Sequence, residues 1–479
     1  MSTVHIFVGQ CGNQLGTSFL NAIAQEAEES ASYDYQTTIS ANHFRPALKQ
    51  PHKKKAVKAP LQGPPIDTKL PQPRCVMVDM EPKVIQEMVS RNNTATGDHT
   101  PLYSLEPQQC VMRGSGSGNN WAYGYLCQGE SCRESIAECL RRESEASDAT
   151  VTSFHALHSV AGGTGSGVGC VVAEVVKDMF PSASLLHTLV WPFDSGEVVT
   201  QWYNIVLSLS TLRDVVGGAY ITFNDEVANQ LKGGHTNRGM PEKAEVDFAA
   251  MNDYISRQLT SLYLPQLLYS VPAPRRFVKT AFQKEMTGEP PSPQRYVVNE
   301  DIIEALSLDP AKKFFVGHSF PRLNHGLTNW AAVLEETSRA ARRSFSSPSA
   351  LCVDADRPLF GWNSPATCLW SLRGFQCKSV GLLELQNLLA VNQENPFPIS
   401  SVFASPVENA KTHPHAPDQQ VNLYGHSPVI ADKLNLAIEK VEKFMHVNAF
   451  THHFTRFGME KSDIMDCVAK LCDTANAYR

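Results

Sequence analysis

The stretch between residues 151 and 180 places the strongest constraint on how this chain can fold. Residues 151–160 are a mainly apolar run of strand length with β-branched ends, and residues 168–180 are an apolar stretch compatible with a helix. Between them, residues 161–167 contain four glycines in seven positions. Glycines let backbone N–H groups approach an anion, and the N-terminus of a helix adds partial positive charge. The pattern therefore predicts an α/β fold with a phosphate site at this loop.

The glycine loop differs from the two common nucleotide motifs. No lysine follows it and GxxxxGK[ST] occurs nowhere, which excludes a P-loop. The absence of GxGxxG argues against a Rossmann dinucleotide site. The hydroxyls of Thr164 and Ser166 would add donors for an anion. A plain glycine-rich turn remains the alternative interpretation, because a glycine loop alone is a weak signal.

Composition limits the classes of function. The chain has 479 residues, 42% hydrophobic and 19% charged, as expected of a globular protein with two or three domains. A net charge of −6 is too small to indicate binding to nucleic acid or to a membrane, and we expect no signal peptide. The twelve cysteines are scattered, without a CxxC pair. We therefore expect reduced thiols in a cytoplasmic protein.

Two further strand–loop–helix units precede residue 151. Residues 4–8 resemble a strand that opens into GQCGNQLG at 9–16, followed by a helical pattern to Glu29. Residues 75–79 resemble a strand that ends in the sequence DMEP. A carboxylate at the C-terminal end of a strand can hold a hydrated Mg²⁺ on a nucleotide phosphate. An acidic helix N-terminus with proline in its first position is the other interpretation of DMEP.

These motifs, together with GSGSGNNWAYGY at 114–125 and WPFDSGE at 191–197, resemble the nucleotide loops of the tubulin family. The loop at 161–167 matches the family pattern [SAG]GGTG[SA]G, and GQCGNQLG, DMEP and GNNWA match further family loops. GSGNNWAYGY and GEVVTQWYN are most similar to the delta type within the family. The resemblance is strong in residues 1–226, weak from 230 to 430 and recognisable again near the C-terminus.

The resemblance implies a site for GTP and Mg²⁺, in which Glu81 acts through the metal and Glu197 accepts hydrogen bonds from the ribose hydroxyls. It implies no catalytic residue within the chain itself. The residues that it assigns to nucleotide binding are Gln10, Cys11, Gln14, Asp79, Gly118, Asn119, Ser159, Gly162, Gly163, Thr164, Gly165, Ser166, Glu197, Tyr220 and Asn224.

Tyr220 and Asn224 are expected to read the base. By the resemblance, residues 219–226 start the long central helix, where an aromatic ring stacks on guanine and an asparagine pairs with its edge. A spacing of four residues places both side chains on one helix face. The second base-reading asparagine of the family falls near Asp214 or Val215 in this chain, which leaves the residue that replaces it undetermined.

The chain departs from polymerising tubulins at two places. Residues 31–74 are rich in proline and lysine and are expected to be a flexible insertion. Residues 273–286 lack the acidic residues that reach the nucleotide of the next subunit and carry four basic residues instead. We therefore expect any GTP hydrolysis to depend on a neighbouring subunit, and contacts with other tubulins to be heterotypic.

The resemblance implies a tubulin-like α/β fold with a mainly parallel sheet and helices on both faces. The expected domains are a GTP-binding domain at 1–219, a central helix and link at 220–245, an intermediate mixed-sheet domain at 246–430 and C-terminal helices at 431–479. The expected function is that of a GTP-binding cytoskeletal subunit in centrioles, basal bodies and cilia, with other tubulins and centriolar proteins as partners. A nucleotide-independent scaffold and a stand-alone GTPase switch are the alternatives.

Overall fold

A computed structural model describes the greater part of the chain. The described residues are 2–30, 32–45, 70–93, 100–146, 150–196, 198–235, 246–270, 297, 299–307, 309–322, 330, 332–335, 337, 368–374, 399–404 and 419–479. The basic part of the expected insertion and the whole of 273–286 lie outside these residues.

Eleven of the described strands form one sheet with the order β5-β4-β1-β6-β7-β8-β10-β13-β11-β12-β9, and β2 and β3 pair in a separate ribbon. The strands are β1 (Ser2–Val8), β2 (Phe44–Arg45), β3 (Gln72–Pro73), β4 (Cys75–Asp79), β5 (Cys110–Met112), β6 (Val151–Ser159), β7 (Ser184–Trp191), β8 (Gly218–Phe223), β9 (Leu267–Ser270), β10 (Phe314–Arg322), β11 (Cys368–Gly374), β12 (Ile399–Ala404) and β13 (Gln419–Gly425).

The N-terminal half of the sheet is parallel. β1 pairs with β4 on one side and with β6 on the other, and the order continues outward through β5 and through β7 and β8. The strand order therefore reverses between β1 and β6, and ligands of open α/β sheets bind in the crevice outside the carboxyl ends of strands at such a point. β10 continues the sheet parallel to β8, and β13 then pairs antiparallel with β10 and β11.

Helices cover both faces of the sheet. One face carries α1 against α8, and the other carries α4, α5 and α6, with α10 and α12 packed on α6. The described helices are α1 (Gly9–Glu29), α2 (Tyr33–His43), α3 (Pro82–Asn92), α4 (Glu130–Glu145), α5 (Gly169–Met179), α6 (Gln201–Val215), α7 (Asn224–His235), α8 (Phe248–Tyr263), α9 (Asn299–Leu306), α10 (Pro428–His446), α11 (His452–Thr455) and α12 (Lys461–Ala477). None of the helices within the described residues is long and apolar enough to span a membrane.

The helices form where apolar residues recur at helical spacing. In α1, Leu15, Phe19, Leu20 and Ile23 are buried on one side, while Gln14 is exposed. Two apolar cores result, one on each face of the sheet. The expected fold class is confirmed: a mainly parallel sheet with helices on both faces, a mixed-sheet continuation and a C-terminal helical layer.

The expectation that Tyr220 and Asn224 share a helix face is wrong. Tyr220 lies inside strand β8, and Asn224 is the first residue of α7. The run from Ala219 to Phe223 is aromatic and β-branched, which favours a strand, and β8 is buried between β7 and β10. The longer helix that follows α7 in the chain is α8, with 16 residues against 12 in α7. The domain boundaries themselves stay a prediction.

The ends of the 31–74 segment are ordered, contrary to the expectation of a wholly flexible insertion. Residues 33–43 form α2, whose Ser32 side chain accepts a hydrogen bond from Tyr35 N at 3.4 Å. Tyr35, Ile39 and Phe44 are buried in the core that α1 and α8 share. These three apolar residues give the first part of the segment a surface that packs into the core.

Candidate functional site

Five parallel strands, β1, β4, β6, β7 and β8, end at the same edge of the sheet, and the motif-bearing loops follow them there. Gly9 starts α1 directly after β1 with φ = 73°, a conformation that glycine adopts without strain. A Cβ on Gly9 would lie 3.0 Å from the backbone N of Gly165, so the first two glycine loops meet between β1 and β6. This contact brings the two loops together at the reversal of strand order.

The first turn of α1 presents polar side chains to this edge. Gln10 and Gln14 are exposed and lie one turn apart. Asn13 is buried, and its Nδ2 donates to Gly9 O at 2.9 Å and to Val78 O at 3.1 Å. Its Oδ1 has no hydrogen-bond partner. Burial raises the pKa of the Cys11 thiol to about 12, so the thiol stays protonated at neutral pH.

The glycine loop after β6 continues as a π-helical turn at Thr164–Val168. A Cβ on Gly163 would lie 2.6 Å from Asn120 N and 2.7 Å from Ser117 O, so only glycine lets the two loops approach this closely. Thr164 Oγ1 lies 3.0 Å from Ser117 Oγ. The loops at 117–120 and 161–167 are therefore held together by backbone packing and by a hydroxyl pair.

Two serines assigned to the nucleotide support the loop in this structure. Ser166 is fully buried and its hydroxyl donates to Gly162 O, which corrects the expectation that this hydroxyl is a donor for an anion. Ser159 Oγ donates to Val190 O at 3.3 Å and accepts from Ala161 N at 3.1 Å. Both hydroxyls thus fix the backbone whose N–H groups border the crevice.

Asp79 and Glu81 bring two carboxylates to the same edge. Asp79 is buried, and its Oδ1 accepts a hydrogen bond from Glu81 N at 3.1 Å, whereas its Oδ2 has no partner. Burial raises the pKa of the Asp79 carboxyl to about 6. Glu81 is exposed, and its carboxylate lies where a Cβ on Gly116 would be. Within the described residues no three His, Cys, Asp or Glu side chains cluster as metal ligands.

Gly118 and Asn119 form an exposed turn with φ of 56° and 50°. The carbonyl of Asn119 accepts hydrogen bonds from Thr200 Oγ1 at 2.7 Å and from Asn204 Nδ2 at 2.9 Å. Asn204 also donates to Ala161 O at 2.6 Å and accepts from Trp121 N at 2.9 Å. Sequence reasoning missed Asn204, which ties the loops after β6 and before α4 to α6. The signal available in the sequence was a polar residue within the otherwise largely apolar run 202–207.

The loop after β7 lies at the same edge of the sheet. Phe193 O accepts hydrogen bonds from Gly196 N at 2.9 Å and Gln201 Nε2 at 3.1 Å. Asp194 N donates to Asp225 Oδ2 on α7 at 3.0 Å. Glu197, the expected ribose contact, lies outside the described residues.

Tyr220 was expected to stack on the base, but its ring is buried and cannot do so. Its side chain is 2% exposed, and its hydroxyl donates to Gln258 Oε1 at 2.7 Å. Phe248, at the first turn of α8, is 64% exposed, and its ring centroid lies 6.3 Å from that of Phe193. Asn252 follows four residues later and is half-buried. The aromatic-plus-asparagine spacing on one helix face thus occurs at 248 and 252, which sequence reasoning missed.

The open space at Gly118 and the unpaired acceptor oxygens suit a nucleotide phosphate that carries a hydrated Mg²⁺. Glycines border the crevice, a hypothetical Cβ on Gly118 would meet nothing within 4 Å, and two buried oxygens, Asp79 Oδ2 and Asn13 Oδ1, lack partners. Mg²⁺ typically uses one or two carboxylates together with substrate phosphates and water. Asp79 and Glu81 supply such carboxylates, so the residues present fit the group.

Comparison with known proteins agrees with this geometry. Residues 2–232 match the Tubulin/FtsZ family, GTPase domain. The whole chain is 26% identical to "Tubulin delta chain" of Mus musculus and 25% identical to that of Macaca fascicularis, covering 99% of each. Over 47% of the chain it is 31% identical to "Tubulin gamma chain" of Candida albicans, 47% of which is covered.

Proposed function

Residues 2–232 belong to the Tubulin/FtsZ family as a GTPase domain, and from this premise we propose that the chain acts in centrioles and basal bodies. The family supports a tubulin-type GTP-binding cytoskeletal subunit. The finer role, in triplet microtubules and in the assembly of cilia or flagella, is supported by the full-length similarity to delta chains. The observation that carries the GTP assignment is the meeting of the Gly9 and Gly165 loops beside the unpaired oxygens of Asp79 and Asn13.

The residues that would hold GTP divide into three groups. The backbone at 9–11 and 162–165 and the turn at Gly118–Asn119 would bind the phosphates. Glu197 would bind the ribose. Phe248 would stack on the base while Asn252 and Asn224 pair with its edge, because an amide offers both a donor and an acceptor. Gln10 and Gln14 are exposed near the start of α1. Gln10 would lie beside the phosphates and Gln14 near the base.

Asp79 and Glu81 would hold Mg²⁺ through its water shell. The metal, when bound, supplies positive charge that neutralises the phosphates. Burial raises the pKa of the Asp79 carboxyl, and a cation at this place would favour its ionised form. Asp79 also fixes Glu81, because its Oδ1 accepts the Glu81 backbone N–H.

We propose a structural GTP binder in which any hydrolysis needs a neighbouring subunit. The support is the basic composition of 273–286, where polymerising relatives in the family carry acidic residues. The same basic segment favours heterotypic contacts with other tubulins over self-assembly. The stand-alone GTPase switch is less favoured because no phosphate-binding lysine follows the glycine loop.

Imaging of the tagged full-length chain in ciliated cells tests the role. We expect wild type and the control Tyr33→Ala, which removes another exposed aromatic ring, to concentrate at centrioles and basal bodies. The double variant Phe248→Ala/Asn252→Ala should lose this location, because GTP occupancy is needed to fit the lattice. Wild-type label along ordinary cytoplasmic microtubules, or in filaments of the chain alone, would contradict the proposal. Full retention of the double variant would favour the nucleotide-independent scaffold.

A further inference from the structure

A buried ion pair joins the C-terminal helices to the loop after β7. Lys433 Nζ on α10 donates to Asp194 Oδ2 at 2.5 Å. The Lys433 side chain is 4% exposed and that of Asp194 is 38% exposed. Lys433 Nζ also lies 5.7 Å from the ring centroid of Phe223, at the end of β8. The ammonium is therefore buried, while its carboxylate partner reaches solvent.

The fold of α10 does not require a lysine at this position. Ile430, Leu434, Ala437 and Val441 bury the apolar face of the helix without it. Taking an ammonium out of water is costly, and replacing a buried ion pair by apolar groups is often neutral or stabilising. The ion pair therefore contributes little to helix packing. What it does specify is the position of Asp194.

Asp194 belongs to the loop after β7, and hydrogen bonds near both ends of this loop join it to other elements at the nucleotide edge of the sheet. Its backbone N–H donates to Asp225 on α7, and Thr200 at the far end of the loop donates to the Asn119 carbonyl at 2.7 Å. Phe193, next to Asp194, faces the ring of Phe248. A shift of Asp194 would move Phe193 away from Phe248.

We propose that Lys433 is a positioning residue for this loop, so that α10 sets how fast GTP leaves the site. This inference rests on the proposed function, because it assigns the loop and Phe248 to the nucleotide. Loss of the ion pair frees the loop, and both release and entry of GTP become faster. The dissociation rate therefore changes more than the equilibrium affinity.

The test is the dissociation rate of a fluorescent GTP analogue from the full chain, chased with excess GTP and Mg²⁺. Lys433→Met should release the analogue roughly 10-fold faster than wild type, the scale of one hydrogen bond to a charged group. Lys443→Met makes the same substitution at an exposed position of α10 and should match wild type. Lys433→Arg, which keeps the charge and the donor, should restore most of the slow release.

Asp194→Asn provides a second route to the same result. It should also speed release, and the double variant Lys433→Met/Asp194→Asn should be no faster than either single variant, because both remove the same contact. The inference would be overturned if Lys433→Met released the analogue no faster than the control Lys443→Met. It would also be overturned if the two substitutions of the double variant sped release additively. A melting temperature that falls while release stays slow would do the same. Wild-type chain that binds no GTP would instead overturn the proposed function.

Discussion

Phe248 and Tyr220 are aromatic residues with opposite surroundings. Phe248 is exposed at the first turn of α8, where the Asp247 side chain accepts a hydrogen bond from Ala250 N at 2.7 Å and so fixes the start of the helix. Tyr220 belongs to β8, which lies between β7 and β10, and its buried ring has its centroid 5.9 Å from that of Phe315. Only the exposed ring can stack on a planar ligand at the open edge of the sheet.

Substitutions at these two residues separate ligand binding from stability. Phe248→Ala should weaken GTP binding by about 1–3 kcal/mol, the scale of stacking between a base and an aromatic ring. Tyr220→Phe should leave GTP affinity unchanged and destabilise the protein by about 1–3 kcal/mol, because buried Gln258 Oε1 loses its donor. Equilibrium titration with a fluorescent GTP analogue and urea unfolding measure the two effects. The assignment would be contradicted if Tyr220→Phe weakened GTP binding while Phe248→Ala left the GTP affinity unchanged.

The sequence predicted the glycine residues of the site better than its side chains. Gly9, Gly163 and Gly165 lie where their loops pack against neighbouring backbone at the sheet edge, as expected of glycine turns, whose conformation depends on local residues. The assignment of Tyr220 to the base was wrong, because the same aromatic–x₃–asparagine spacing occurs at 220 and at 248 and Tyr220 is the buried aromatic residue of the two. The strand-forming run 219–223 was the local signal that distinguishes the two.

At the scale of elements, a chain of buried histidines links strands to helices. His43 Nε2 lies 3.0 Å from Tyr263 O at the end of α8, His5 Nε2 lies 3.0 Å from His43 Nδ1, and His5 Nδ1 lies 3.2 Å from His155 Nδ1. His155 Nε2 lies 2.9 Å from Thr188 Oγ1. A carbonyl can only accept, so His43 donates to Tyr263, His5 to His43, His155 to His5, and Thr188 to His155. Every contact is satisfied when all three rings are neutral.

Burial favours this neutral state. It is the largest cause of lowered pKa values at His5, His43 and His155 and at the neighbouring pair His158 and His187, with values of about 4 for His43 and His158. A proton added to His5 or His43 would place two ring N–H donors against each other. The stabilising contribution of these histidines is thus complete above the unfolded pKa of about 6.5 and is lost as the pH falls toward 4.

We therefore expect the urea concentration at the midpoint of unfolding to decrease when the pH is lowered from 7.5 to 5. Each histidine changes the free energy of unfolding by at most about 1.4 kcal/mol per pH unit. Two carboxyls act in the opposite direction, because burial raises the pKa of Asp79 to about 6 and that of Glu143 to about 7. Five histidines outweigh two carboxyls, so the net effect is a loss of stability. A midpoint that stays constant or rises on acidification would contradict the neutral histidine chain.

At the scale of the whole molecule, the C-terminal helices contact the loops of the nucleotide edge. Asn120 Nδ2 donates to His453 O at 2.7 Å, and the ring of Tyr123 stacks on that of Phe457 with centroids 4.6 Å apart. Tyr203 on α6 donates to Ala449 O at 2.9 Å, and Lys433 binds Asp194. The C-terminal helices therefore help to hold the loops of this edge in position.

These long-range contacts could not be predicted from the sequence. Asn120 and His453 are 333 residues apart, and neither belongs to a pattern that indicates the other. The pairing of β8 with β10, which joins the N-terminal parallel strands to the remainder of the sheet, is likewise set by tertiary packing. Local motifs indicated the class of fold and the edge at which the site lies, whereas the connection between the two halves required the structure.

The nucleotide content of the purified full-length chain shows whether the chain binds GTP and keeps it unhydrolysed when no other subunit is present. The protein would be denatured, its released nucleotide identified by ion-exchange chromatography, and a parallel sample incubated to follow conversion. We expect close to one GTP per chain, persisting through the incubation because hydrolysis needs a neighbouring subunit. Conversion to GDP by the isolated chain would contradict the proposal of a structural GTP binder. A chain without nucleotide, which takes up none when GTP and Mg²⁺ are added, would contradict the account as a whole.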